Sequence, residues 1–200
     1  MFKVYGHLSS GNCYKIYLAL NQLQLPFQWI STDAVKNETR SDAFLAMNPN
    51  GKIPLLEIAA GQYLPESNAI LHYLAEDSAL LPADRYQHAQ VLQWLFFEQY
   101  SHEPYIATSR YVKLFLNNPP ERESDMARWS APGYRALDVM EAHLHNHAFF
   151  VGDQYTIADI ALFAYTHVAH EGGFDLARYP ALNQWLHRVR QQNAFVAMNW

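Results

Sequence analysis

The chain has 200 residues; half are apolar and 16% are charged, which allows a sizeable core and excludes wholesale disorder. The formal net charge is −5 and no basic stripe is visible, so no nucleic-acid partner is expected. The longest uninterrupted apolar run, Ile160 to Tyr165, is far shorter than the roughly 20 residues that cross a bilayer, and the N-terminus has no apolar signal segment. Cys13 is the single cysteine, which excludes an internal disulfide framework. We therefore expect a soluble, cytoplasmic protein without a membrane partner.

Short apolar segments alternate with amphipathic segments over the first 75 residues. This pattern predicts a strand, a helix, a strand, a short helix, a two-stranded hairpin and a third helix. The predicted ranges are 2–5, 11–22, 27–30, 41–47, 53–58 with 62–64, and 67–74. A βαβ start implies a parallel pair with a right-handed crossover, and the hairpin adds antiparallel strands. The expected product is a mixed four-stranded sheet flanked by helices.

Strand signals vanish from about residue 85, and helical periodicity replaces them. Helices are predicted over 85–102, 123–147, 156–170 and 180–192. Pro132 is a candidate site for a break or kink in the second of these. Thr156 and Asp159 have the spacing of a capping box at the start of the third. The predicted domains are an α/β domain at 1–77, a linker at 78–86 and an all-α domain at 87–200.

The segment from Ser9 to Cys13 lies between the first strand and the first helix. Such a turn directs free backbone N–H groups and the positive end of a helix dipole at one point, where a hydroxyl can donate to a thiolate. On the turn alone, an ordinary helix cap is the more common role for a serine at the position of Ser10. Residues 10–13 also have C-x-x-C spacing with serine in place of the first cysteine, while Cys13 is expected to be buried. This predicts a thioredoxin-like scaffold in which the reactive thiol arrives with a ligand.

Two further segments could bind a peptide-like ligand. A cis Ile53-Pro54 bond would leave the Ile53 backbone free to pair with an extended peptide, whereas a trans bond is the ordinary alternative. At the start of the third helix, Ser67 could hold a carboxylate and Glu66 an ammonium group, although a helix cap is again the alternative.

Arg40 and Lys52 are the cations that could balance a second ligand carboxylate. Two histidine pairs could each share a helix face: His143 with His147, and His167 with His170. No carboxylate completes a metal-binding motif around either pair, so no metal is expected.

Four segments resemble the cytosolic glutathione transferases of the bacterial, serine-loop type, with a phi- and nu-like N-terminal motif. They are residues 9–15, 44–54, 66–74 and 150–159. The resemblance implies a thioredoxin-like N-terminal domain of βαβ-α-ββα order, an all-α C-terminal bundle and a homodimer. It also implies glutathione as the co-substrate.

The resemblance assigns the glutathione thiol to Ser10, with Asn12 assisting and Ser9 as the alternative. The remaining contacts that it implies are Ile53 beside a cis Pro54 for the cysteine backbone, Ser67 and Glu66 for the γ-glutamyl end, and Arg40 and Lys52 for the glycine carboxylate. The pocket for the second substrate is expected at His7, Leu8, Tyr105, Arg110 and Tyr111.

The expected activity is transfer of an apolar alkyl or aryl electrophile to glutathione, a detoxification reaction, with peroxidase activity as a side reaction. Two alternatives remain at this stage. One is a non-catalytic binding or interaction module with the same fold. The other is a glutathione-dependent disulfide reductase, which needs no protein cysteine because two glutathione molecules can carry out the exchange.

Overall fold

Four short strands form one mixed sheet in the computed structural model, which describes residues 1–198. The strands are β1 (Phe2–Gly6), β2 (Phe27–Ser31), β3 (Leu55–Ala59) and β4 (Gln62–Pro65). Their order is β2-β1-β3-β4, with β1 parallel to β2 and antiparallel to β3, and with β3 antiparallel to β4. The predicted mixed four-stranded sheet is confirmed.

Three α-helices accompany the sheet: α1 (Gly11–Gln22), α2 (Asp42–Met47) and α3 (Ser67–Ala75). A 3-10 turn, Glu38–Arg40, precedes α2. The aliphatic side chains that α1 and α3 turn inward are fully buried, among them Ile16, Leu20, Ile70 and Leu71. Strand β3 starts two residues later than predicted, at Leu55. The reason is Pro54, which has no N–H to donate to a strand ladder.

The chain divides into two compact units, and the division departs from the predicted domains at the C-terminus. The first unit contains Met1–Ser78 and also the segment that begins at Asn193; the second is Ala79–Gln192. The sequence analysis places residues 193–200 in the helical domain, and the described part of this segment instead packs with the first unit. One anchor is the Tyr14 hydroxyl, which donates to the Val196 carbonyl at 2.7 Å. A long-range contact of this kind leaves no periodic pattern in the sequence.

The second unit is helical throughout. Its α-helices are α4 (Arg85–Phe97), α5 (Glu103–Phe115), α6 (Glu123–Leu144), α7 (Ile157–Thr166) and α8 (Pro180–Arg190). A π-helical turn, Glu98–His102, joins α4 to α5, and short 3-10 turns occur at Pro120–Arg122 and Ala169–Gly172. No described helix is both long and apolar enough to cross a membrane.

The sequence analysis did not predict α5, and it gave Pro132 as a candidate site for a break or kink in α6. Pro104 lies in the first turn of α5, where its missing N–H has no helical partner to lose, so it starts the helix rather than preventing it. Pro132 lies inside α6, and the helix continues through it. Helix α7 ends at Thr166, four residues before the predicted end, and the chain then forms the 3-10 turn.

The start of α7 carries the predicted capping box, which is confirmed in full. The fully buried Asp159 carboxylate accepts hydrogen bonds from the Thr156 backbone at 2.9 Å and from the Phe150 backbone at 3.2 Å. It also accepts one from the Trp185 indole at 2.9 Å. Burial raises the pKa of Asp159 to about 6, although these hydrogen bonds by themselves lower it. One carboxylate therefore ties α7 to the preceding loop and to α8.

Replacing Asp159 by asparagine is expected to lower the free energy of unfolding by about 1–3 kcal/mol, because an amide NH2 leaves a buried donor without an acceptor. The exposed Asp153→Asn variant is the matched control and should be nearly neutral in urea unfolding.

The pKa of Asp159 in the folded protein lies above the ordinary value of 3.8, so the folded state holds this proton more tightly than the unfolded state does. The contribution of this tighter proton binding to the free energy of unfolding is then complete below about pH 4 and is lost as the pH rises through 6. The advantage of the wild type over Asp159→Asn should shrink over that window, and an advantage that grows with pH would contradict this account.

Candidate active site

Ser10 is the N-cap of α1. Its backbone is extended (φ −81°, ψ 123°), and its side-chain oxygen accepts from the Cys13 N–H at 3.4 Å. Capping uses a lone pair of the hydroxyl oxygen and leaves the hydroxyl hydrogen available as a donor. The neighbouring Cys13 thiol is a weak acceptor, so an anionic sulfur at this point would compete well for that hydrogen. Ser10 can therefore cap α1 through its oxygen and donate its hydrogen to a thiolate at the same time.

Ser9 is arranged differently from Ser10. It is only 5% exposed, and its hydroxyl oxygen lies 2.6 Å from Nδ1 of His7. The Ser9 backbone N–H donates to the same nitrogen at 3.3 Å, so Nδ1 is an acceptor and the Ser9 hydroxyl donates to it as well. The Ser9 hydrogen is therefore directed at His7, whereas that of Ser10 can turn toward a ligand.

Cys13 is buried within the first unit, one turn into α1. Burial raises the pKa of its thiol to about 12, against a lowering effect of Ser10 and of the His7 backbone. Gly6 makes room for this thiol, because a Cβ at that position would lie 2.8 Å from the Cys13 sulfur. Cys13 is thus a neutral core residue, which agrees with the expectation from the sequence.

A second cluster joins α1 to the start of α3. The Lys15 ammonium donates to the Ser67 hydroxyl and to the Asn68 amide oxygen, both at 3.3 Å. The Ser67 hydroxyl in turn donates to Oδ1 of Asn12 at 3.0 Å. Because an ammonium group only donates, Ser67 must accept from Lys15 and pass its own hydrogen to Asn12. This order of donors directs Oδ1 of Asn12 at Ser67 and leaves Nδ2 as the donor group of that amide.

Lys15 is the site residue that the sequence analysis missed. Its side chain is fully buried, although lysine is rarely buried without polar partners. The available signal was its position three residues after Asn12, which places both on one face of α1.

Ser67 is the first residue of α3 and not its cap. The cap position belongs to Glu66, which makes no side-chain capping bond and has a left-handed backbone (φ 72°). A positive φ is uncommon for a residue with a Cβ and typically occurs where the surrounding structure imposes it. The Glu66 side chain is exposed beside the first N–H groups of α3, and Lys15 lies on the inner side of the same helix start.

The Ile53-Pro54 peptide bond is cis, in agreement with what the resemblance implies. Within the described residues 1–198, the structure shows no hydrogen bond to the Ile53 backbone. The neighbouring turn is held by Asn48, whose amide donates to the Lys52 carbonyl at 2.8 Å. Arg40 reaches the same turn, with Nη1 3.5 Å from the Asn50 carbonyl. The side chains of Arg40 and Lys52 are both exposed, so each is accessible to a carboxylate.

The residues predicted for the second-substrate pocket fall in both units. His7 and Leu8 lie in the loop before α1, whereas Tyr105, Arg110 and Tyr111 lie on α5. Arg110 is buried and forms an ion pair with Glu171. Tyr111 is exposed and stacks on Phe115. Their role toward a substrate stays a prediction.

The first unit has its own cavity beside this loop, with a volume of about 200 Å³. Leu8, Tyr14 and Tyr17 line one part of it, and Val196, Ala197 and Met198 line the other. The C-terminal segment is a lining element that the sequence analysis did not foresee. Among residues 1–198, no group of three His, Cys, Asp or Glu side chains is placed to hold a metal ion.

Comparisons with known proteins match both parts of the chain. The model for the glutathione S-transferase N-terminal domain matches residues 1–76, and that for the C-terminal domain matches residues 105–193. A crystal structure of a glutathione S-transferase from Pseudomonas fluorescens Pf-5 is 54% identical, covers 98% of each chain and superposes with a TM-score of 0.97.

The name of one more distant relative and the bound ligand of another are relevant to the reaction. Disulfide-bond oxidoreductase YfcG of Escherichia coli is 31% identical over 92% of this chain and 87% of its own length. A glutathione transferase family member from P. fluorescens Pf-5, solved with two glutathione bound, is 25% identical over 96% of this chain and 89% of its own, with a TM-score of 0.85.

Cys13 should not react with an aromatic disulfide reagent in the native protein at about pH 8, where an ordinary thiol is partly ionised. The physical reasons are its burial and its pKa of about 12. Absorbance of the released thiolate measures the reaction, and the same protein in guanidinium chloride should react fully. A native thiol that reacts as fast as the unfolded one would contradict the buried, neutral assignment.

Proposed function

The chain belongs to the glutathione S-transferase family, and we propose that it stabilises the thiolate of bound glutathione at Ser10 for attack on a small apolar electrophile. The observation that carries this proposal is the geometry of Ser10. Its oxygen caps α1 while its hydrogen is free to turn toward a ligand, at the helix end where the dipole is positive.

The activation rests on two effects at one point. A hydrogen bond from Ser10 to a thiolate is charge-assisted, and the N-terminal N–H groups of α1 add the helix dipole. Both favour the ionised form and lower the pKa of the bound thiol. Asn12 would assist through Nδ2, since its oxygen already accepts from Ser67. Ser9 is the weaker candidate because its hydrogen goes to His7.

The rest of glutathione finds complementary groups in the first unit. Its γ-glutamyl carboxylate would lie at the N-terminus of α3, where the backbone N–H groups of the first turn and the buried Lys15 provide positive potential, and its ammonium would lie near Glu66. The backbone of its cysteine would pair with Ile53. Arg40 and Lys52 would face its glycine carboxylate.

The electrophile would occupy the cavity next to Leu8. Its walls include two tyrosine rings and the apolar side chains of the C-terminal segment. This lining suits a small aromatic or aliphatic molecule, held close to the sulfur that Ser10 stabilises. Proximity would then provide much of the rate enhancement.

Glutathione-dependent disulfide reduction is the second candidate function. The state of Cys13 favours a mechanism in which glutathione, and not a protein cysteine, supplies the thiol. Because Cys13 is buried and neutral, the chain itself provides no thiolate. One glutathione thiolate would attack the disulfide and release a thiolate, and a second would attack the mixed disulfide and yield oxidised glutathione. The E. coli relative is named a disulfide-bond oxidoreductase, and the Pf-5 family member was solved with two glutathione bound. Turnover of a small disulfide without turnover of an activated aryl halide would favour this candidate.

The pKa of bound glutathione tests the main proposal directly. Difference absorbance of the thiolate, followed across pH, should give a pKa at least about one unit below the ordinary value near 8.5, and Ser10→Ala should raise it again. Ser41→Ala is the matched control, since Ser41 caps α2 through an equal 3.4 Å bond and lies outside the thiol site. Ser9→Ala should leave the pKa nearly unchanged.

Each contrary outcome of this titration has a defined meaning. Saturable binding with an unshifted pKa would contradict thiolate activation and support a non-catalytic glutathione-binding module. Absence of binding would remove glutathione from the proposal altogether. A pKa that rises in Ser9→Ala and not in Ser10→Ala would transfer the role to Ser9.

Replacing Lys15 by methionine should weaken glutathione binding about tenfold, because a buried hydrogen-bonded charge at the γ-glutamyl end is lost. S-methylglutathione has no free thiol, and its binding to the variant, measured by calorimetric titration, should weaken by the same factor. The exposed Lys36→Met is the control for loss of one positive charge, and circular dichroism checks the fold. Weaker binding of glutathione with unchanged binding of S-methylglutathione would place Lys15 at the thiol instead.

A further inference from the structure

The second unit contains a cavity of about 220 Å³ that the proposed function does not use. Its walls come from the C-terminal half of α5, the start of α6 and the turn after Ala169–Gly172. The α5 helix and this turn approach closely, since a Cβ on Gly172 would lie 3.1 Å from the Arg110 backbone nitrogen. These two elements therefore pack closely on one side of the cavity, and none of the residues that line it belongs to the candidate glutathione site.

Ser109 is the informative side chain in this cavity. It is only 2% exposed, and its hydroxyl makes no hydrogen bond to any part of the chain from residue 1 to residue 198. A helical serine commonly bonds back to the carbonyl four residues earlier, which does not happen here. The Ser109 oxygen is not among the described side-chain atoms that are both enclosed and unpartnered, so it is open to the cavity. Its hydroxyl can therefore donate to a molecule in the cavity without giving up a bond to the described protein.

Lys113 lies one helical turn after Ser109 and lines the same cavity. It is partly buried, and its ammonium forms no ion pair or hydrogen bond with the described residues. The ammonium lies directly against Gly173, where any Cβ would collide with it. The left-handed backbone of Gly173 (φ 92°) is what favours glycine here, and its lack of a side chain leaves room for the end of the lysine.

The remaining walls limit what this pair of donors can bind. Met126 and Phe174 provide apolar surface, and Asn118 and Ser130 add two polar side chains. Glu123 also lines the cavity but is not within ion-pair distance of Lys113, so it leaves the ammonium available and disfavours a second negative charge on a ligand. A cation with a hydroxyl donor, flanked by two apolar side chains in a partly polar wall, is complementary to one carboxylate with a short apolar group.

We propose that this cavity binds a small organic monocarboxylate. Its carboxylate accepts hydrogen bonds from the Lys113 ammonium and the Ser109 hydroxyl, and its apolar part packs against Met126 and Phe174. The site lies wholly within the second unit, and its existence does not depend on glutathione binding.

Benzoate and its neutral analogue benzamide are the probes, and amide NMR shifts of Gly172 and Gly173 are the readout. Benzoate should shift both signals saturably, and benzamide should not. Lys113→Gln should weaken benzoate binding at least about tenfold, and Ser109→Ala should weaken it less. Glu123→Gln should tighten it by about two- to fivefold, since a nearby like charge is removed. Arg85→Gln, an exposed charge change at the start of α4, should have no effect.

Three results would overturn the proposal: no saturable shift with benzoate, equal shifts with benzamide, or an unchanged affinity in Lys113→Gln. The opposite signs expected for Lys113→Gln and Glu123→Gln separate a specific site from general loss of structure, because a misfolded variant cannot bind more tightly. Benzoate shifts confined to residues near Ser67 would also count against the cavity, since they would report carboxylate binding at α3 only.

Discussion

The buried ammonium of Lys15 is the interaction on which the candidate glutathione site depends. A buried cation is costly unless oxygen atoms surround it, and Ser67 and Asn68 provide two of them. These contacts hold the start of α3 against α1. They also decide the direction of the Ser67 hydroxyl and, through it, the orientation of the Asn12 amide. One charge therefore links the end of the site that would hold a carboxylate to the end that would hold the thiol.

The two serines of the loop show how backbone geometry assigns different chemistry to adjacent hydroxyl groups. Ser10 is at the cap position, where its oxygen accepts a backbone N–H and its hydrogen is free to turn. Ser9 is buried one residue earlier and donates to His7. Their residue type is the same, so the sequence alone leaves the choice between them open. The difference depends on the turn, which brings the His7 ring back onto Ser9.

The parts of the fold that the sequence predicted well are those with local signals. Helix α1 has its predicted bounds because a capping serine precedes it, and α7 starts where Thr156 and Asp159 form their box. Helix α5 was missed because no helix was predicted between residues 102 and 123, and the structure places Pro104 in the first turn of this helix. The packing of Val196 on Tyr14 and the inward direction of Lys15 depend on long-range contacts, which have no local signal.

Conjugation and disulfide reduction share their first requirement, a stabilised glutathione thiolate, so the geometry of Ser10 serves both. They differ in the next chemical step, because disulfide reduction consumes a second thiolate. In the loop before α1, Ser10 offers a hydroxyl hydrogen for one sulfur, whereas the Ser9 hydrogen is directed at His7 and Cys13 is neutral. A second glutathione would therefore attack without comparable stabilisation from these residues. This asymmetry supports the proposal that the chain transfers glutathione to an electrophile, since that reaction needs one activated sulfur.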